Sequence, residues 1–210
     1  MPFDALLFDL DGTLIDTETV ALQTGMQAFA AMGHPVDKIF MQRLVGVDLP
    51  TAAGIIGAAL PALDQKGLQA HWHNAFVAAI NQDLPLKPGA LALLSARHRP
   101  MAIVTSSGRD EAHHKLRLTG LDVFFDTVVT LADVTAPKPA PDPYLLAAER
   151  LGVAPGRCLV FEDSETGAEA AHRAGCIVVQ VPDVGPATGR WSHHLAPTLL
   201  DGARMAGISM

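Results

Sequence analysis

Two aspartates spaced by one residue, Asp9 and Asp11, follow the apolar run Ala5–Phe8 and precede Gly12. If the extended conformation of that run continues through this stretch, the two carboxylates point to the same side. Carboxylates that close repel each other unless a cation or a shared proton offsets them. A turn at the Asp-Gly pair would explain Asp11 but leaves Asp9 unexplained. We therefore interpret the two aspartates as parts of a chemical site.

A second pair of acids, Glu162 and Asp163, follows another apolar run, Cys158–Phe161. Taken alone, these two acids are equally well explained as caps of the next helix. Hard oxygen ligands from two strand ends are, however, what a magnesium site requires. Four acids that follow two apolar runs therefore favour a metal site over two unrelated helix caps.

A lysine and two hydroxyls complete the set of candidate residues. Lys138 stands between Pro137 and Pro139, so its backbone has little freedom and its ammonium can be delivered to one place. Thr105 and Ser106 end an apolar run and precede a helical pattern, where hydroxyls and free backbone N–H groups suit a phosphate. Prolines at a helix start and hydroxyl N-caps are also ordinary structural features, so each signal is weak without the acids.

The segments that carry these residues predict the strands of a parallel sheet that is buried on both faces. The apolar runs are Ala5–Phe8, Met101–Val104, Thr127–Val129, Cys158–Phe161 and Cys176–Val181. The last four alternate with helical patterns near residues 88–97, 109–119, 141–151 and 164–174. Alternation with short links is typical of an α/β fold with a doubly wound, mostly parallel sheet. In such sheets the sites lie at the carboxyl ends of the strands, where the candidate residues stand.

One interval, from Asp16 to about Leu86, has helical patterns in place of strand patterns. They cover residues 18–32, 36–44, 49–60 and 65–82, and are separated by glycines and prolines. We therefore predict an α/β core of residues 1–16 and 86–210 and an inserted helical domain of residues 17–85. The stretch after Pro182 is predicted to be a loop, followed by a closing helix over residues 196–205.

Composition limits the classes of function. Hydrophobic residues make up 49% of the 210 residues and charged residues 18%, which argues against disorder. The net charge of −7 and the lack of a Lys/Arg block give no support to nucleic-acid binding. No apolar stretch is long enough for a membrane span, and the N-terminus lacks the features of a signal peptide. The two cysteines, Cys158 and Cys176, are expected to be buried thiols of a cytoplasmic enzyme.

The four motifs, in this order, resemble those of the haloacid dehalogenase superfamily, in the subgroup with a helical cap after the first strand. The β-phosphoglucomutase-like and phosphoglycolate-phosphatase-like members are the most similar. The first motif, residues 9–13, is the most specific match, and Lys138 with residues 162–163 agrees with it. The resemblance extends to about Asp183; the family usually has Gly where this chain has Pro137. It implies a Rossmann-like core with an inserted α-helical cap domain.

The resemblance also implies roles. The chain would be a magnesium-dependent phosphatase of a small phosphorylated metabolite, in which Asp9 attacks phosphorus and forms an aspartyl-phosphate. Asp11 would be the general acid for the leaving alkoxide and then the general base for water. Lys138 would neutralise charge on Asp9 and on the transferring group. Thr105, with the backbone of Ser106, would hold the phosphoryl oxygens.

By the same resemblance, Mg²⁺ would be bound by Asp9, by the main-chain carbonyl of Asp11 and by Asp163, with Glu162 assisting directly or through water. The cap would close over the site and select the substrate. Arg43, in a cap loop, is a candidate substrate contact, although a solvated surface arginine explains it as well. No obligate protein partner is evident; the oligomeric state stays open, and a monomer needs nothing extra.

The sequence bears on four alternative functions. Dehalogenases and phosphonatases of the superfamily lack the second aspartate, so Asp11 argues against both. Family mutases carry a His on the first cap helix and an Arg beyond the glycine of a cap loop, and neither is present in residues 17–21 or 46–49. A catalytically inactive binding protein would be expected to lose the acids of the site. A phosphatase is favoured, with a β-phosphoglucomutase-like mutase as the nearest alternative.

Overall fold

The computed structural model describes residues 3–44, 49–96, 99–185 and 187–208. The chain divides into two compact units, one of Met1–Asp16 with Pro85–Met210 and the other of Thr17–Leu84. Gly46 and its two following residues, on which the comparison with mutases partly depends, lie outside the described residues. None of the helices within the described ranges is long and apolar enough to cross a membrane.

The first unit is built on a six-stranded sheet. Its strands are β1 (Ala5–Phe8), β2 (Met101–Val104), β3 (Thr127–Val129), β4 (Cys158–Glu162), β5 (Ile177–Gln180) and β6 (His194–Leu195). They lie in the order β3-β2-β1-β4-β5-β6, and every pairing is parallel. The prediction of a doubly wound parallel α/β sheet is confirmed. β6, which lies just before the predicted closing helix, was missed because two residues carry no periodic pattern.

The helices alternate with these strands or form the second unit. In chain order they are α1 (Thr17–Ala31), α2 (Lys38–Gln42), α3 (Leu49–Ala59), α4 (Gln65–Gln82), α5 (Ala90–Ser95), α6 (Arg109–Thr119), α7 (Asp142–Leu151), α8 (Glu165–Arg173) and α9 (Leu199–Met205). The predicted segments agree with these bounds to within a few residues, except that the closing helix begins three residues later than expected.

The strand order brings the carboxyl ends of β1 and β4 side by side at the centre of the sheet. The chain runs outward from β1 to β3, then crosses back to β4 and runs outward to β6, so the order reverses between β1 and β4. Crevices at such a reversal are where open α/β sheets bind ligands. Both strands are fully buried, and the stacked rings of Phe8 and Phe161, 5.1 Å apart, hold their ends together. The sheet therefore fixes the backbone at this edge.

The second unit, Thr17–Leu84, has its own core. Trp72 on α4 donates its indole N–H to the carbonyl of Ala21 on α1 at 3.0 Å, and its ring lies near that of Phe29. Gly25 on α1 permits this approach, because a Cβ there would lie 2.7 Å from the Trp72 ring. Asp37 and Asp64 cap α2 and α4 by accepting backbone N–H groups.

Candidate active site

The loop after β1 presents Asp9 and Asp11 at the central edge of the sheet. The Asp9 N–H donates to the carbonyl of Phe161 at 3.0 Å, so Asp9 still follows the sheet, and it is buried. Gly12 then turns the chain with a φ of +84°, a conformation that residues with a side chain rarely adopt. The turn at Gly12 therefore does not account for Asp9, which is held in place by its own hydrogen bond to the sheet.

Lys138 joins three strand ends with one ammonium group. Its Nζ donates to Oδ1 of Asp9 at 2.7 Å, to Oε1 of Glu162 at 2.5 Å and to the carbonyl of Val104 at 2.9 Å. These acceptors come from the ends of β1, β4 and β2. The Lys138 side chain is only 5% exposed, so its charge is directed at the site rather than at solvent. The sequence predicted that these acids and this lysine belong to one site, and in the structure they are in contact.

Glu162 is held entirely by protein donors. Its Oε1 accepts from Lys138 and from the buried hydroxyl of Tyr144 at 3.0 Å, and its Oε2 accepts the N–H and hydroxyl of Ser164, both at 3.0 Å. A Cβ at Gly167 would collide with the carboxylate, so α8 approaches it directly. The expectation that Glu162 ligates a metal directly does not fit this geometry, because both oxygens already accept hydrogen bonds and the residue is fully buried.

Asp163 lies against the loop after β1. Thr13 donates its hydroxyl to Oδ1 of Asp163 at 3.1 Å. A Cβ at Gly12 would lie 2.6 Å from Oδ2 of Asp163, so only glycine allows this approach. Two sequence motifs 150 residues apart are therefore packed against each other through one glycine and one hydroxyl.

The site contains more acidic groups than cations, and this raises the pKa of its buried carboxyls. Burial raises the pKa of Asp9 to about 8, and the neighbouring Glu162 adds to the effect although Lys138 opposes it. The burial of Asp163 likewise raises its pKa, and Glu162 and Asp9 raise it further. Burial acts to lower the pKa of Lys138, but Asp9 and Glu162 outweigh it, so the ammonium stays charged. A single ammonium does not balance the three acids around it.

A divalent cation would offset this excess of acidic groups and would favour their ionised forms. Asp9 and Asp163 offer carboxylate oxygens on neighbouring strand ends, and the main-chain carbonyl of Asp11 lies in the same loop. Within the described residues, no three or more Asp, Glu, His or Cys side chains are grouped in a way that would hold a metal. Two carboxylates with a carbonyl are consistent with that result, because Mg²⁺ is commonly held by about one or two carboxylates with water and substrate phosphate.

Asp11 points to a different set of partners, which the sequence did not suggest. Its Oδ1 accepts from Nζ of Lys115 at 2.8 Å and its Oδ2 accepts from the hydroxyl of Ser107 at 2.9 Å. Lys115, on α6, is buried and also pairs with Glu111 at 2.5 Å. Burial acts to lower the pKa of Lys115, but the Asp11 and Glu111 carboxylates outweigh it and raise the pKa.

Thr105 and Ser106 lie between the end of β2 and the start of α6. Thr105 follows β2, is buried, and accepts the N–H of Ser107 on its hydroxyl at 3.0 Å. No side chain caps the first turn of α6, so its backbone N–H groups are available to an anion. A cleft of about 500 Å³ opens here. It is lined by Asp9, Asp11, Thr105, Ser106, Ser107, Gly108, Glu111, Leu131, Lys138, Asp163, Ser164 and Thr166.

Arg43 is the one predicted site residue that belongs to the second unit. It follows α2, and its guanidinium lies 5.7 Å from the centre of the Phe40 ring. This cation–π contact gives the side chain a local partner. Its predicted contact with the substrate stays a prediction.

Ser107, Lys115 and Tyr144 are among the residues of the site that were not predicted from the sequence. A signal existed for Lys115: Ala112, Lys115 and Leu116 are the buried residues of α6, so a lysine occupies the inward-facing stripe of that helix. Tyr144 is the only tyrosine of the chain, and an apolar stripe gave no reason to expect its hydroxyl beside Glu162.

Comparison with known proteins identifies the protein family to which this chain belongs. The sequence profile of the family described as haloacid dehalogenase-like hydrolase matches residues 6–181, which is most of the chain. The chain belongs to this family. The family and the enzyme class predicted from the motifs are thereby confirmed.

Two phosphatases and one solved structure are similar to this chain over most of its length. A phosphorylated carbohydrates phosphatase of Thermotoga maritima is 33% identical over 176 residues, which cover 82% of each chain. The fructose-1-phosphate phosphatase of Escherichia coli is 35% identical over 184 residues, 85% of this chain and 96% of that protein. Among solved structures, a family hydrolase of Deinococcus radiodurans R1, with bound phosphate and sodium, has a TM-score of 0.85 at 29% identity, covering 99% of this chain and 96% of that one.

Proposed function

We propose that this chain is a phosphatase that hydrolyses a small phosphorylated carbohydrate through an aspartyl-phosphate on Asp9, with Mg²⁺ as cofactor. The observation that carries the proposal is the arrangement of Asp9, Lys138 and Asp11 at one cleft. Asp9 is buried and oriented by an ammonium, whereas Asp11, two residues away, faces the same cleft with separate partners. Two carboxylates in different surroundings suit the two roles that this reaction requires.

Asp9 is the nucleophile in this proposal. Lys138 holds Oδ1 of Asp9 at 2.7 Å, which leaves Oδ2 to attack phosphorus. As the Oδ2–P bond forms, the bond from phosphorus to the leaving oxygen breaks, and the phosphoryl group stays on Asp9. Covalent catalysis of this kind replaces one difficult displacement by two easier ones. The Lys138 ammonium also offsets charge that develops on the transferring group.

Asp11 is the general acid and then the general base in this proposal. It donates a proton to the alkoxide that leaves in the first step, and it then accepts one from the water that attacks the aspartyl-phosphate. Its carboxylate is 26% exposed and lines the cleft, so it is accessible to both the leaving group and the water. Thr105 and Ser106, with the first N–H groups of α6, bind the phosphoryl oxygens.

Asp9, Asp163 and the main-chain carbonyl of Asp11 would hold the metal. Mg²⁺ bound there supplies positive charge to the phosphoryl oxygens in the transition state. In this proposal Glu162 does not ligate the metal directly: it accepts the Tyr144 hydroxyl and the Lys138 ammonium, and so it holds Lys138 against Asp9.

The substrate class rests on the relatives. Their names specify phosphorylated carbohydrates and fructose 1-phosphate, and both match this chain over more than four fifths of its length. We assign the helical unit, Thr17–Leu84, the role of a cap that selects the sugar and excludes water. Arg43 is the residue of that unit proposed to contact the substrate.

The test is hydrolysis of p-nitrophenyl phosphate and a panel of sugar phosphates that includes fructose 1-phosphate. Each is assayed with Mg²⁺, with excess chelator, and with the Asp9→Asn protein. We expect release of phosphate that needs the metal and is lost in Asp9→Asn, with a sugar phosphate preferred. Turnover that requires a sugar bisphosphate activator would instead indicate a mutase. A folded, Mg²⁺-loaded protein that hydrolyses no ester would overturn the proposal.

A further inference from the structure

We propose that Lys115 and Ser107 are positioning residues for the proton-transferring carboxylate of Asp11, and that Glu111 holds Lys115 in place. The inference rests on the role proposed above for Asp11. The sequence motifs assign no role to any of these three residues. We refer to Asp11, Ser107, Glu111 and Lys115 together as the Asp11 cluster.

The contacts of the Asp11 cluster fix both oxygens of the carboxylate. Lys115 donates to Oδ1 at 2.8 Å, and Ser107 donates to Oδ2 at 2.9 Å. Lys115 also donates to the Ser107 hydroxyl at 3.2 Å, so the two donors are joined to each other. A carboxylate with one donor on each oxygen cannot rotate about its last bond without losing a hydrogen bond.

The location of these donors links the carboxylate to a rigid element. Ser107 precedes α6 and Lys115 lies on it, and the Ser107 N–H is bound in turn by the Thr105 hydroxyl at 3.0 Å. The same segment therefore positions the phosphoryl cradle and Asp11. Such a connection suits a reaction in which the proton must arrive at the leaving oxygen while the phosphoryl group is held.

Lys115 is unusual as a structural lysine because its side chain is only 4% exposed. Burial of an ammonium is unfavourable unless it is paired, and Lys115 has two carboxylate partners. Glu111, one turn earlier on α6, is half exposed and lines the same cleft. Helix stability alone would be served by an apolar side chain at this inward position, so the burial of a charge here is explained by its contact with Asp11.

The arrangement leaves Asp11 able to react. An ionised carboxylate has about four acceptor sites, and one donor on each oxygen occupies only part of them. Asp11 also lines the cleft and its side chain is 26% exposed, so a proton can pass there between Asp11 and the leaving oxygen or the water. Loss of Lys115 or Ser107 would leave the reacting groups in place but would allow Asp11 to rotate away from them.

A leaving-group comparison tests the inference. The value of kcat/KM reports phosphoryl transfer to Asp9, and an alkyl leaving group needs the proton of Asp11 at that step, whereas p-nitrophenolate leaves without it. Because a general acid contributes about 10²- to 10⁴-fold, we expect Lys115→Met to lower kcat/KM for the preferred sugar phosphate by about 30- to 100-fold. For p-nitrophenyl phosphate the loss should stay within about 3-fold, because its departure does not depend on the acid.

Two further variants keep the test valid if Lys115→Met folds poorly. Ser107→Ala removes only a hydroxyl, and should give the same selective loss at about 3- to 10-fold, since part of the positioning remains. Lys115→Arg should recover part of the lost activity on the sugar phosphate because it restores a donor to Oδ1. The matched control is Lys87→Met, which removes another carboxylate-paired lysine, bound to Asp183 at 2.7 Å, and should leave the ratio of the two esters unchanged.

Equal losses on both esters in Lys115→Met and Ser107→Ala, or no loss on either, would overturn the inference and leave the proposed function standing. Faster sugar phosphate hydrolysis in these variants would also overturn it, because the cluster would then restrain Asp11 away from the substrate. If the wild-type protein hydrolyses neither ester, the proposed function fails, and the inference fails with it.

Discussion

The loop after β1 forms two carboxylate–lysine pairs of nearly the same length, and they differ in their surroundings. Asp9 lies 2.7 Å from Lys138, and Asp11 lies 2.8 Å from Lys115. Both lysines are almost completely buried. The side chain of Asp9 is 10% exposed and that of Asp11 is 26% exposed. Lys138 is shared with the fully buried Glu162, whereas Lys115 is shared with Glu111, which reaches solvent.

This difference shows how one short segment can supply two kinds of chemistry. The Asp9 pair belongs to a buried network in which each oxygen of Glu162 is also bound, so Asp9, the proposed nucleophile, and its ammonium are fixed. The Asp11 pair borders the cleft, where the proposed mechanism has Asp11 exchange a proton with substrate and water. The residue types are the same, so the proposal assigns the two roles by the depth at which each pair lies.

The same substitution made in both lysines gives the largest expected contrast. Lys138→Met leaves Asp9 and Glu162 without their shared cation, and breaking a buried pair in this way costs about 3 to 5 kcal/mol of the free energy of unfolding. Activity should be lost alike on alkyl and aryl phosphates, because Asp9 acts on both. Lys115→Met should destabilise less and discriminate between the esters. Urea unfolding and the two-ester assay check this, and equal behaviour of both variants would remove the distinction between the pairs.

Asp11→Asn tests the more exposed of the two carboxylate–lysine pairs. It should lower kcat/KM for an alkyl phosphate by about 10²- to 10⁴-fold, because an amide cannot donate the required proton, and should affect p-nitrophenyl phosphate less. Asp4→Asn is the control, since Asp4 is paired with Arg157 outside the cleft. If Asp11→Asn hydrolyses the sugar phosphate at the wild-type rate, Asp11 is not the acid.

Glu162→Gln tests whether the buried network positions Lys138. The change keeps the shape but removes the charge, and a displacement of the ammonium by about 1 Å is enough for a loss of about 10²-fold in kcat. The Mg²⁺ concentration for half-maximal activity should change little, because Glu162 does not ligate the metal in this proposal. A large rise in that Mg²⁺ concentration would instead support the role of metal ligand that was expected for Glu162 from the sequence.

Tyr144→Phe removes one of the hydrogen-bond donors to Glu162 and should lower the free energy of unfolding by about 1 kcal/mol.

A carboxylate outside the site gives the smallest effect and shows that ion pairing alone does not make a functional group. Asp133 pairs with Arg109 and Arg150. Burial acts to raise the pKa of Asp133, but hydrogen bonds from Thr130 and Arg150 outweigh it and hold the pKa well below 3.8. The ionised form is thus favoured in the folded state, so its stabilising contribution is present above the ordinary aspartate pKa and is lost as the pH falls below it.

For Asp133→Asn we therefore expect a loss of about 1 to 3 kcal/mol near neutral pH, a smaller difference from wild type in acid, and unchanged activity. Thermal unfolding between neutral and acidic pH checks the first two points and the phosphatase assay the third. A difference that grows as the pH falls would show that the sign is wrong.

Much of the site was predictable because it is encoded in contiguous segments. β1, β2 and β3 have the predicted bounds, since runs of apolar residues between turn residues are characteristic of strands buried on both faces. Asp9, Thr105 and Glu162 were found because each ends such a run, and parallel strands place those ends at one edge. β6 was not predictable, because it forms only by pairing with β5.

The sequence by itself determined the type of sheet, the family and the acids and lysine of its motifs, because these depend on local pattern and short spacing. Only the tertiary structure determined how deeply each of these groups is buried and which partners it binds. It occupied both oxygens of Glu162 with protein donors, and it brought Lys115, 104 residues away in the chain, against Asp11. The physical reason is that the depth of a charge and the identity of its partners depend on contacts between distant segments, which no local pattern encodes.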